Sequence, residues 1–218
     1  MSRFIAFLLL VPSLALCQHV QKIIVRFEPS IVTAEEAEEI GKFAAFKHRE
    51  ETGHKARVTE VKAFSGSRPD LSDWSLREDR FDYLYTRFYR FRNYTSTIVI
   101  ASPVTQGGKE GSAGAAYECD RHGGVAVVFL TPSASVDQAA LIATHELGHI
   151  LGSPHSPPFF EDIMHVDAQR VYFNKFGGFF RETYDFEDSD FYTRWFGQCR
   201  KLSSAYRLPT ARKLHVCR

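Results

Sequence analysis

The residues with the most chemistry to offer lie between positions 145 and 155, in the run HELGHILGSPH. His145 and His149 are four apart, which on a helix sets both imidazoles on one face, a turn from each other. One metal ion can then take a nitrogen from each. Glu146 stands beside the first histidine, where its carboxylate can reach a water at that metal without being needed as a ligand. Gly152 falls where the helix would end, a position that often requires positive φ, and glycine adopts that conformation without steric cost. A sharp turn there brings His155 back to supply a third nitrogen. Three neutral imidazoles with an open fourth position describe a catalytic zinc site rather than a closed structural one. The chemistry is metal-assisted hydrolysis, with Glu146 taking a proton from the attacking water and returning it to the leaving amine.

A bare HExxH recurs by chance, but HExxHxxGxxH fixes two further positions, each a roughly twentyfold filter. Met164 follows at a plausible distance, nine residues beyond His155. His122, His165 and His215 share no such spacing and read as surface or packing residues.

The elements that must hold this site can be read around it. Ser135, three residues before Gln138, caps a helix that starts near Val136 and runs into the motif. Upstream, KIIVRF (22–27) is a short buried strand, broken by Pro29 and Ser30. Thr33 and Glu36 form a capping box opening a helix to about Glu50, with Ile40, Phe43, Ala44 and Phe46 near one face and Gly53 as its stop. RVTEVKAF (57–64) alternates like a second strand. Residues 65–75 read as loop, and 76–94 as a second helix. Its residues Phe81, Tyr83, Leu84, Phe88 and Phe91 suit core packing better than a nucleic-acid stacking platform. TIVIA (97–101) and GVAVVFLT (124–131) are further strands. The glycines of 106–114 follow no phosphate-loop pattern and read as a loop. Beyond His155 the chain is irregular to about Glu187.

Bulk properties bound the reading. A chain of 218 residues makes one packed domain, or two small lobes around a cleft. The net charge of +1 leaves no basic excess for phosphates, so no nucleic-acid partner is expected. Arg3 and the apolar run Phe4–Val11 form a signal peptide over residues 1–17, too short to span a bilayer. Cleavage releases either Gln18 or Leu16. The rest (18–218) is expected as a secreted, extracellular chain without membrane insertion. In that oxidising compartment Cys119, Cys199 and Cys217 favour bridging over reactivity. Asn93-Tyr94-Thr95 is an acceptor sequon for glycosylation at Asn93.

The long zinc motif and Met164 resemble those of the metzincins, zinc peptidases with HExxHxxGxxH followed by a Met-turn. Within them the chain looks most like the adamalysin or reprolysin group, through Gly114-Ala115-Ala116-Tyr117-Glu118-Cys119-Asp120, the strand after it, and Tyr184-Asp185-Phe186-Glu187-Asp188-Ser189. Ser156 after the third histidine is instead typical of matrixins, and Met164-His165 is similar to astacins, although Val166 replaces their tyrosine. The resemblance implies an α/β (α+β) metzincin catalytic domain: a twisted mixed sheet with an active-site helix in an upper subdomain (about 18–155), and a small irregular lower subdomain (about 156–218). It implies one catalytic Zn2+ on His145, His149 and His155, Glu146 as base and Met164 as floor. It further implies a Cys119–Cys199 bridge, and a protein or peptide substrate lying antiparallel to an edge strand at Gly114, Ala115 and Ala116. The segment 165–173 would wall the pocket for the residue after the scissile bond.

Two other readings follow from the residues. One is a secreted binding protein or toxin on the same scaffold, with proteolysis weak or absent; the intact motif argues against it. The other concerns latency. The strand signals begin soon after the signal peptide and leave little room for a folded pro-domain, so control falls to a separate inhibitor protein or to compartment. His215-Val216-Cys217 offers a thiolate that could reach the metal, against the simpler expectation that Cys217 is bridged, to Cys17 or to another chain.

Overall fold

Seven residues from Gln21 to Phe27 form β1, in which Ile23, Val25 and Phe27 point into the core. The structure is a computed structural model and describes residues 20–65, 77–90, 94–102, 113–117, 124–131, 134–156, 163–165 and 214–217. The signal segment, Asn93, Cys119, Cys199 and the wall segment beyond His165 lie outside these residues. Helix α1 (Ala34–Thr52) opens with the expected capping box: Thr33 Oγ1 accepts from Glu36 N, and Glu36 Oε2 accepts from Thr33 N. It closes on Gly53 in the left-handed region, φ 67°. Ala37, Ile40 and Ala44 face the core as the helical spacing requires, with Phe43 packed at its margin. Gly41 lets this helix lie close on the sheet, because a Cβ there would meet Val25 Cγ2 at 2.6 Å and Val58 Cγ2 at 3.0 Å.

β2 (Ala56–Ala63) returns parallel to β1, and α2 (Arg77–Phe88) follows. This second helix is shorter than its sequence pattern, which extends to Tyr94. Tyr94 instead takes a left-handed φ of 56°, and its carbonyl accepts from Lys22 N at the entry to β3 (Thr95–Ala101). β4 (Ala113–Tyr117), β5 (Val125–Phe129), α3 (Val136–Leu151) and β6 (Leu214–Cys217) complete the described elements. The six strands lie in the order β2-β1-β3-β5-β4-β6. β1, β2, β3 and β5 run parallel to one another, while β4 is antiparallel to both β5 and β6. The result is an α+β fold around a mixed sheet.

Helices cover both faces. Ile98, Ile100, Ala126 and Val128 pack towards α1 and α3, while Val99, Val125, Val127 and Phe129 pack with Phe81 and Leu84 of α2. Strands buried on two faces lose the polar alternation of a one-sided sheet, which is why β3 and β5 are buried at every position. Arg80 anchors α2 to the strand ends. Its Nη2 donates to Ser102 Oγ at 2.6 Å and meets Glu28 Oε1 at 3.3 Å, while Glu28 Oε2 accepts from Ser102 N.

Candidate metal centre

The site is built on α3. Ser135 Oγ caps its start by accepting from Gln138 N at 3.1 Å. At its end Gly152 takes φ 106°, a left-handed value that any Cβ would strain. From Ala139 to Ile150 the helix is buried on every side. Its two histidines therefore sit inside the fold, and the turn after Gly152 brings His155 to them.

The rings are oriented by backbone carbonyls. His149 Nδ1 lies 2.7 Å from Ser153 O, and His145 Nδ1 meets Ile163 O. A carbonyl can only accept, so each Nδ1 carries the proton and each neutral ring presents its Nε2 lone pair. Those atoms converge: His149 Nε2 is 2.9 Å from His145 Nε2 and 3.2 Å from His155 Nε2. Lone pairs this close repel unless a cation lies between them. Tetrahedral zinc with bonds of ~2.0–2.1 Å would set its nitrogens about 3.3 Å apart, close to the spacing seen. The cluster is therefore capable of holding a metal ion, and its donor set fits zinc.

Glu146 follows His145 and is fully buried. Its neighbour is the backbone of β4, because a Cβ built on Gly114 would stand 2.2 Å from Glu146 Oε1, 2.6 Å from Cγ and 2.7 Å from Cδ. Ala115 and Ala116, next in β4, are buried in the clusters on opposite faces of the sheet. Ile163 and Met164 are buried too, and the turn at 163–165 is tied to the site twice, through the His145 ring on Ile163 O and through Ser156 N donating to Met164 O at 2.9 Å. His165 is buried, as a packing residue would be.

Several of these contacts have no sequence signal. The carbonyls of Ile163 and Ser153 are backbone groups that any residue type provides. The contact of Gly114 with Glu146 joins residues far apart in sequence, and only the glycine itself hinted at a close approach. β4 also proves to be paired on both sides, so the edge expected to be open for substrate carries β6. A separate groove of about 570 Å³ runs between α1 and β2, at the other end of the strand order, and contains none of the three histidines.

Residues 74–166, somewhat less than half the chain, match the family model Peptidase_M57, described as a dual-action HEIGH metallo-peptidase. The chain reads His145-Glu146-Leu147-Gly148-His149 where that description spells HEIGH. Among solved structures, an archaemetzincin from Archaeoglobus fulgidus is 18% identical, with a TM-score of 0.40, over 69% of this chain and 90% of that one. Metalloproteinase-II from Bacteroides fragilis is 16% identical with a TM-score of 0.43, over 71% of this chain and 48% of that one. A zinc-dependent peptidase from Methanocorpusculum labreanum is 16% identical with a TM-score of 0.37, over 66% and 87%. No protein of curated function matches. The long motif on its buried helix and the convergent histidines fall within the stretch that matches this model, on an α+β fold consistent with a metzincin-like catalytic domain. The match is to the M57 model and does not single out the adamalysin or reprolysin group.

Proposed function

We propose that the protein is a secreted zinc-dependent endopeptidase that hydrolyses peptide bonds in protein substrates. The observation that carries this reading is the convergence of three Nε2 atoms, two of them with orientation fixed by carbonyls, together with a buried carboxylate on the same helix and outside the ligand set. His145, His149 and His155 hold the ion. Zinc bound there supplies Lewis acidity for the scissile carbonyl and acidifies water. Glu146 accepts the water proton on a carboxylate oxygen and delivers it to the departing nitrogen. Gly114, Ala115 and Ala116 of β4 line the path of an extended substrate, and Met164 floors the site. The signal peptide supports secretion. No helix among the described residues is long and apolar enough to cross a membrane. The Cys119–Cys199 bridge, glycosylation at Asn93, control by an inhibitor protein and the closer kinship to reprolysins remain part of this proposal, resting on the sequence alone.

The test is cleavage of a denatured protein substrate by purified material, with zinc content measured in parallel. Activity abolished by a chelator, restored by zinc and lost in Glu146→Ala with zinc content retained is the expected result. A zinc-loaded protein that cleaves nothing in a broad peptide library would favour the binding-protein reading. Full activity in Glu146→Ala would sink the role given to that residue.

A further inference from the structure

The strand β6 lies where a substrate would. It pairs antiparallel with β4, in the register Gly114 to Cys217, Ala115 to Val216, Ala116 to His215 and Tyr117 to Leu214. Gly114 is the residue whose Cα abuts the Glu146 carboxylate, so one end of β6 is level with the catalytic base. An extended peptide adds to a sheet edge through the same backbone hydrogen bonds, and two strands cannot use one edge together. We infer that segment 214–217 is an internal competitor that occupies the substrate edge of β4, so that substrate enters by displacing it. The inference rests on the peptidase reading above.

The size of the pairing suits a displaceable occupant. Among the described residues β6 has four, the shortest of the six strands, whereas β1, β2 and β3 have seven, eight and seven. Its position at the end of the strand order leaves its other backbone edge without a described strand partner. Being part of the same chain, the segment competes intramolecularly, at a high effective concentration. It therefore raises the apparent KM of an extended substrate.

The full-length protein carrying His215→Pro with Val216→Pro tests this. Proline has no N–H, and the two adjacent positions cover both orientations of the strand, so the ladder loses a donor whichever residue faces β4. The expected result is a roughly five- to tenfold lower KM for an extended peptide at unchanged kcat, matched by tighter binding of a peptidyl hydroxamate. Acetohydroxamate, which reaches the metal without needing a strand edge, should bind the variant and the parent equally. An unchanged or higher KM in a folded variant overturns the inference. Hydrogen exchange on the unaltered protein tests it without a substitution. Amides of 214–217 should lose protection when the peptidyl hydroxamate saturates the site and keep it with acetohydroxamate, and protection retained in both complexes overturns the inference. Should neither protein take up zinc or bind acetohydroxamate, the peptidase reading itself fails and this inference goes with it.

Discussion

Replacing Gly114 with alanine should displace the Glu146 carboxylate, the proposed base, without disturbing the histidine cluster. The added Cβ would be 2.2 Å from Glu146 Oε1 and under 3 Å from two carbons of the same side chain. Ordinary contact begins above 3 Å, so the carboxylate end must move by about 1 Å. Glu146 is fully buried, which leaves it little room to do so without losing its aim. A misplacement of ~1 Å costs a catalytic group on the order of 10²-fold, and general-base catalysis is worth ~10²–10⁴-fold in total. We expect kcat/KM to fall about 10²-fold, equivalent to ~2.7 kcal/mol of transition-state stabilisation. The assay is peptide cleavage together with zinc stoichiometry, which should stay at the parental value because the three atoms nearest the added Cβ all belong to Glu146. A cycle with Glu146→Ala isolates the cause: if the glycine acts through the base, Gly114→Ala should have almost no further effect once the base is gone. Activity within threefold of the parent, or the same loss in both backgrounds, would refute the reasoning.

Three further outcomes follow from the geometry. Removing the metal should expose the mutual repulsion of the imidazoles: at zinc a hundredfold above its Kd, the lost linkage is ~2.7 kcal/mol, or roughly 5–10 °C in Tm for a chain of this size. A chelator scan by calorimetry checks it, and an unchanged Tm would count against the site. Burial, and then the charge of His54, lower the pKa of His48 to about 4 from 6.5, so the ring is neutral in the fold. The unfolded chain alone gains that proton between pH 6.5 and 4; stability should fall by about 3 kcal/mol across this window as pH drops, then level off. As pH falls to 4 the urea midpoint of the parent should drop relative to that of His48→Leu, and parallel curves would exclude the effect. Gly41→Ala should destabilise by about 1–3 kcal/mol through overpacking on Val25 and Val58, outweighing the better helix propensity of alanine; a raised Tm would show that the α1–sheet gap relaxes freely.

What the sequence determined by itself was local. The i, i+4 histidines, the Ser135 and Thr33 caps, and the left-handed glycines at 53 and 152 all act within one or two turns, so residue type and spacing suffice to read them. The strands β1, β3 and β5 were legible for the same reason, and the apolar run of β1 also reported its burial. Where the signal depended on distant partners it faded. The second helix stops at Phe88 although its pattern continues, because Tyr94 must turn to place its carbonyl on Lys22. Only the tertiary structure shows that the carbonyls of Ser153 and Ile163 choose the imidazole tautomers, that Gly114 lies against Glu146, and that β6 takes the outer edge of β4. Each of those contacts is made by backbone atoms, which are the same at every position; residue type therefore cannot announce them, and only the path of the folded chain brings them together.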